Sequence, residues 1–473
     1  MQREDTSGSF TRILNTITHF MTSISVASVL QSMVIFAFIF TMSHFSIETE
    51  YAEYRKTFYV VDFSTAISLF GLGTLILRKP IKSLYDDIVP TILIINTIQL
   101  ISVLVFLFIQ HLSFVKYLQI VSFIFLETIY QLIVSVIVLK NARRLYFACT
   151  SSCFLLTIIS LVVLVKFDGL NYLNVYYLRI IILLLYIIPF LIYTGKRIFK
   201  IKFPSFPKVV SLFKEAAPIG FGVLLGSCTQ YIDKFIASMM DTHQLAVYAN
   251  ASASVPFVGT AITTMSVFFL PIIHKCYINK DKMGACANLS SLFLFGWYLG
   301  VSVFTVLFCN AEFVVDLLYS SRYFESVVLF RVFCLGYLFR IVSYTQIIVS
   351  LELENIIIKR MFIEMVLQFI LSFVLLKFLG VLGLALSVIL VLTLWSVPYN
   401  VINFKRRLSC KISEILPFKQ MFLFFLKAFV PCLIAVVSMN AFAINRTIVF
   451  IVSSLLYVVI NMKEIIYVIR KTR

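Results

Sequence analysis

About fourteen apolar runs, each long enough to cross a bilayer, are joined here by short polar segments rich in Lys and Arg. In a bilayer no water satisfies backbone N–H and C=O groups. A chain built this way must fold as a bundle of helices that bond internally. The runs fall at about 20–43, 56–77, 88–110, 114–139, 145–166, 174–194, 214–240, 245–273, 288–309, 327–352, 358–380, 382–404, 420–441 and 444–468. Tight turns are expected near 381 and 443. Composition agrees: 61% of the 473 residues are hydrophobic and 13% are charged. A soluble domain, about one-quarter charged, could not hide so much apolar surface.

The net charge of +18 does not point to nucleic acid, because the bases lie in short clusters between the runs rather than in one patch. With the N-terminus in the cytoplasm, the inner segments hold 28 Lys and Arg and the outer segments 7. That bias places both termini in the cytoplasm. The N-terminal MQREDTSGSFTR is polar and mixed in charge, so the first run is expected to stay as a signal anchor. The nine cysteines form no CxxC and have no ligand spacing, so they are expected to be small packing residues; no metal is expected.

The longest inner connection, 195–213, is basic and carries Pro204 and Pro207. It divides the first six helices (1–194) from the next six (214–410), with two further helices in 411–473. A linker lying along the membrane surface and a simple charged connector are both open readings. The halves share a faint echo. Ala52-Glu53-Tyr54 follows the first run, and Ala246-Val247-Tyr248 follows the seventh.

Charges inside the runs are the candidate site. The stretch QYIDKFIASMM sets Asp233 and Lys234 in an otherwise apolar run, where an ionisable residue costs about 2.5–3.5 kcal/mol at the centre. Lys234 can snorkel outward; Asp233 is too short to do so. Neighbours on a helix point about 100° apart, so a simple pair between them is not expected. Asp62, Arg179 and Arg331 lie early in their runs, Glu127 and Arg340 deeper. For any single polar residue an interhelical hydrogen bond is the plainer role. Taken together, Arg179, Lys234, Arg331 and Arg340 suggest a cationic cavity moderated by Asp62, Glu127 and Asp233. It would suit a phosphate-bearing substrate. No phosphate-binding GxxxxGK[ST], HExxH or filter-like TVGYG occurs, so no attached ATPase, zinc protease or K⁺ pore is expected.

Several stretches resemble the polysaccharide (O-antigen, Wzx-type) flippases of the MATE-like (MOP) superfamily. They are IETEYAEYRKTFYVVDFSTAISLFGLGTLILRK (47–79), EAAPIGFGVLLGSCTQYIDKFIASMMDTHQLAVYANASASVP (215–256), ELENIIIKRMFIE (352–364) and GVLGLALSVILVLTLWSVPYNVINFKRRL (380–408). The Gly common before Tyr in that family is Glu53 and Val247 here. The resemblance implies an all-α polytopic fold of 12 plus 2 helices, with two six-helix lobes around a central cavity. It implies no enzyme activity and no cofactor. It also implies a flippase that moves an undecaprenyl-pyrophosphate-linked oligosaccharide to the periplasmic face of the bacterial inner membrane. An H⁺ or Na⁺ gradient would drive it, beside polymerase and ligase machinery. Asp233 and Lys234 match the family's acidic–basic pair in helix seven. Two alternatives stand beside this reading: a MATE-like exporter of small cations, and a membrane glycosyltransferase or polymerase. Bases outnumber acids among the interior candidates, and the outer loops are short. Both facts favour the flippase.

Overall fold

The computed structural model describes residues 27, 29–72, 81–110, 113–139, 143–194, 205–253, 255, 258–353, 355–442 and 444–464. The start of the first run, residues 195–204 of the linker, and Arg3, Arg12, Arg78, Lys79, Arg470, Lys471 and Arg473 lie outside them. Among the described residues the chain is helical and holds no strand. Eight spans are long and apolar enough to cross a membrane, with shorter apolar helices between them. The chain is an all-α polytopic membrane protein.

One compact unit runs from Thr16 to His243. Its helices are α1 (Val29–Phe45), α2 (Glu48–Leu69), α3 (Ile81–Gln110), α4 (Phe114–Leu139), α5 (Arg143–Lys166), α6 (Tyr172–Thr194) and α7 (Phe206–Ala237). Helix α2 begins eight residues before its expected start. Glu48 and Glu50 in its first turn favour the positive end of the helix dipole. Tyr51 and Tyr54 then bury their rings. Helix α7 also starts early, at Phe206, because Pro207 has the fixed φ that suits a first helical turn. It packs against α2 and α3. At the end of α2, Phe70 and Gly71 both take positive φ, 39° and 72°. A Cβ on Gly220 of α7 would stand 2.3 Å from the Phe70 ring, so the glycine is what lets this turn press onto α7.

The second unit spans Gln244–Arg473, with α8 (Thr242–Ala251) starting at the boundary. It continues with α9 (Val258–Ile278), α10 (Lys282–Cys309), α11 (Ala311–Tyr319), α12 (Ser326–Leu335), α13 (Tyr344–Ser350) and α14 (Asn355–Leu390). Then come α15 (Val397–Leu408), α16 (Ile412–Ile415), α17 (Phe418–Ala441) and α18 (Arg446–Ile460). The runs at 358–380 and 382–404 do double back as expected. Gly380, at φ 61°, interrupts α14. Across it, Ser372 and Ser387 hydroxyls lie 3.0 Å apart and Arg360 Nη1 donates to Asn400 Oδ1 at 3.2 Å. Both pairs are centred on Gly380, as an antiparallel hairpin requires.

Two runs expected to be continuous are broken. The run at 245–273 divides into α8 and α9. The run at 327–352 divides into α12, a 3₁₀ turn at Gly336–Leu338, and α13. Each break leaves backbone groups without helical partners, and the other run supplies them. The Val255 N–H donates to the Tyr337 hydroxyl at 3.2 Å, and the Ser343 N–H donates to Ser266 Oγ at 3.2 Å. Helix α10 makes room for the second break. A Cβ on Gly296 would lie 2.0 Å from the Ile341 carbonyl oxygen, and one on Gly300 2.4 Å from that of Tyr337. Hydropathy cannot show such breaks, because the residues on both sides remain apolar.

Candidate functional site

Four helices of the first unit bring charge together: α2, α4, α6 and α7. Arg179 of α6 is the centre. Its guanidinium carbon sits 3.7 Å from the centroid of the Phe58 ring, 5.2 Å from that of Phe123 and 5.6 Å from that of Phe38. Arg179 Nη1 donates to the Tyr54 hydroxyl at 3.3 Å. Arg is suited to this cage because its planar, weakly hydrated cation stacks on aromatic faces. Arg179 and Glu127 line a small pocket of about 50 Å³ between α1, α4 and α6, shared with Gln31, Tyr130 and Tyr186. Gln131 donates to Glu127 at 3.3 Å.

Asp62 stands within electrostatic reach of three cations: Arg179, Arg55 and Lys234. One and two turns earlier on its face of α2, Phe58, Tyr59 and Arg55 are buried, whereas Asp62 itself is exposed. One and two turns later on the same side, Ala66 and Leu69 are half-buried. Counted from Glu48 at 1.5 Å per residue, Asp62 is roughly 21 Å along a helix that starts eight residues before its expected run.

Asp233 and Lys234 occupy the last turns of α7. Asp233 is 2% exposed. Lys234 curls back along the helix: its Nζ donates to the Gln230 carbonyl at 2.6 Å and lies 3.8 Å from Asp233 Oδ1. It also lies 5.1 Å from the Tyr231 ring centroid. The two neighbours therefore do approach each other, contrary to the expectation from helical angles, because the four-carbon stem of Lys bridges the 100° between them.

Of the residues singled out in the sequence, Arg179, Asp62, Glu127, Lys234 and Asp233 thus fall in this unit. Arg331 and Arg340 belong to the other. Arg331 bonds Glu312 at 3.3 Å, and Arg446 approaches the same carboxylate at 3.5 Å. Arg340 is exposed at the break between α12 and α13.

Two charged sites escaped the sequence reading. Arg55, counted as an outer-loop charge, is 6% exposed inside α2 and donates to the Tyr59 hydroxyl at 3.3 Å. Its spacing of four from Tyr59 and seven from Asp62 would have found it, had α2 been started at Glu48. Arg360, counted as cytoplasmic, is 5% exposed. Besides its bond to Asn400 it lies 3.8 Å from Glu364. Its carbonyl accepts the Trp395 indole N–H at 3.4 Å, beside a π-helical turn at Val391–Ser396. Such turns recur at functional sites.

No protein-family model and no curated protein matches this sequence. Solved structures do. An inward-facing multidrug-resistance MATE transporter of the MOP superfamily superposes with TM-score 0.62 at 10% identity, over 82% of this chain and 98% of that one. The lipid II flippase MurJ, in an inward closed conformation, superposes with TM-score 0.60 at 14% identity, over 95% of this chain and 100% of MurJ. The eukaryotic MATE transporter AtDTX14 gives 0.55 at 12%, over 84% and 97%. The chain has the fold that MATE transporters and MurJ share.

Proposed function

We propose that this protein is a flippase for an undecaprenyl-pyrophosphate-linked oligosaccharide. It carries an O-antigen, capsule or exopolysaccharide unit from the cytoplasmic to the periplasmic face of the bacterial inner membrane. The observation that carries the reading is the interior of the first unit. Arg55, Arg179 and Lys234 all lie within electrostatic reach of Asp62, which is itself exposed. Three cations stand there beside three carboxylates, Asp62, Glu127 and Asp233, and a pyrophosphate needs fixed cations sheltered from water, which the aromatic cage of Arg179 provides. Coverage supports the same choice. The MurJ structure takes in 95% of this chain and the MATE structure 82%.

In the proposed mechanism, residues 1–194 and 214–410 form the two lobes. Arg179 and Lys234 receive the pyrophosphate, and rocking of the lobes exposes it to one face and then the other. Arg331 and Arg340 would serve the sugar or phosphate from the second lobe. Asp62, Glu127 and Asp233 would answer to an H⁺ or Na⁺ gradient. Both termini are assigned to the cytoplasm, and polymerase or ligase machinery acts afterwards.

A second reading rests on Asp62 and Glu127: two interior carboxylates could serve a MATE-like exporter of organic cations. Deleting the gene in its host separates the two. The flippase reading expects surface glycan to vanish while the lipid-linked unit accumulates on the cytoplasmic face. Normal glycan with a changed sensitivity to cationic drugs would replace it with the exporter. Units that reach the outside but stay unpolymerised would point to an enzyme.

A further inference from the structure

The nine cysteines read in the sequence as packing residues, and all nine are free thiols. Two of them nevertheless converge across more than a hundred residues. Cys286 Sγ, Cys410 Sγ and a Glu414 carboxylate oxygen lie within 4.8 Å of one another. Three separate elements bring them there. Cys286 sits in the second turn of α10 and is 5% exposed. Ser409, at φ 58°, ends α15 in the left-handed conformation and redirects the chain, so that Cys410 packs against the core containing Cys286. Glu414 follows in α16, flanked by Ile412 and Leu416 on the same core.

We propose that Cys286, Cys410 and Glu414 form a site for one zinc-type divalent ion, with a fourth position left to solvent. The donor set is the kind zinc takes: thiolates at about 2.3 Å and a carboxylate at about 2.0–2.2 Å. Tetrahedral ligands at those lengths stand roughly 3.3–3.8 Å apart, so the three side chains need close by only about an ångström. Glu414 is already oriented, since its Oε2 accepts the Lys411 backbone N–H at 2.8 Å. Ligating carboxylates are commonly held by such a second bond. The three ligands would carry one negative charge more than the ion neutralises, and Lys282 and Lys411 stand close by in the chain to offset it. Lys282 Nζ donates to Ser409 Oγ at 3.1 Å. A metal is favoured over a disulfide because the positive-inside count assigns this basic end to the cytoplasm, where thiols stay reduced. The ion would tie the start of α10 to the turn between α15 and α16. This site is independent of the proposed transport activity.

The test uses the full chain purified in detergent, kept reduced, stripped with chelator and titrated with Co²⁺. One equivalent should produce a thiolate-to-cobalt charge-transfer band, and Zn²⁺ should displace it. Cys286→Ser and Cys410→Ser should each weaken binding by more than about tenfold, and Glu414→Gln by a smaller factor. Cys432→Ser should leave it unchanged. No band, or a band that survives in the Cys286→Ser/Cys410→Ser double variant, overturns the site. Should the variants misfold, alkylation of the wild-type chain decides. Zn²⁺ must protect Cys286 and Cys410 while Cys149 still reacts, and equal labelling with and without Zn²⁺ overturns the proposal.

Discussion

Replacing Arg179 by Lys keeps the charge and removes the planar fork, which makes it the sharpest probe of the interior cluster. The guanidinium carbon 3.7 Å from the Phe58 ring centroid, with Phe123 and Phe38 within 5.6 Å, is worth about 2 kcal/mol when desolvated. Its hydrogen bond to Tyr54 adds about 1 kcal/mol. An ammonium keeps part of the cation–π attraction but can neither lie flat on the rings nor offer a planar fork, so Arg179→Lys should lose part of that stabilisation. If the fork also holds a phosphate oxygen, one charged hydrogen bond worth about 1.5–3 kcal/mol disappears, a loss of roughly 10- to 150-fold in transport. Arg179→Met should fall further, because Asp62 and Glu127 both interact with this cation. The assay is restoration of surface glycan in a deletion strain at matched membrane levels, with thermal unfolding in detergent measured alongside. If both variants transport at the wild-type rate per folded molecule while unfolding earlier, Arg179 is packing only and the substrate role is wrong.

Lys234→Ala should insert normally yet restore little surface glycan; full restoration would return Lys234 to a snorkelling role. Gly296→Ala sets a Cβ 2.0 Å from a backbone oxygen and should cost about 1–3 kcal/mol, whereas Gly259→Ala meets nothing within 4 Å. Equal unfolding temperatures for the two would refute the close packing of α10 on the broken run. At Gly380 nothing crowds a Cβ either, so Gly380→Ala isolates the backbone: φ 61° with ψ −145°, a region only glycine adopts freely, predicts a loss of about 1–3 kcal/mol by denaturant or thermal unfolding. Arg360→Met removes a buried cation but leaves Glu364 behind, so it should destabilise the second unit more than Arg360→Met/Glu364→Gln does. The reverse order would show that the two residues do not act as a pair.

The spans at 114–139, 145–166 and 174–194 were legible almost to the residue, because a helix in lipid must be apolar along its length and polar residues mark its ends. The hairpin at Gly380 was legible for a related reason: a glycine lay where two runs met with no polar loop. Helix α2 was mis-started, since Arg55 and Lys56 look like a helix end to a hydropathy rule. In the fold Arg55 is buried against Tyr59. The same rule sent Arg360 to the cytoplasm, where pairing with Asn400 and Glu364 instead keeps it inside.

What the sequence alone determined is the solvent: an all-helical chain crossing a membrane many times, with charges too costly to be accidental at 62, 127, 179 and 233–234. That information is local, carried by the hydropathy of each run and its flanks. Only the tertiary structure decided which of those charges meet. Arg179 joins Asp62, Glu127 and Lys234 in one unit, Arg331 turns to Glu312 in the other, and Cys286 finds Cys410 across 124 residues. The reason is physical. A charge in lipid must find a partner, but a run of twenty residues does not encode which helix will supply it.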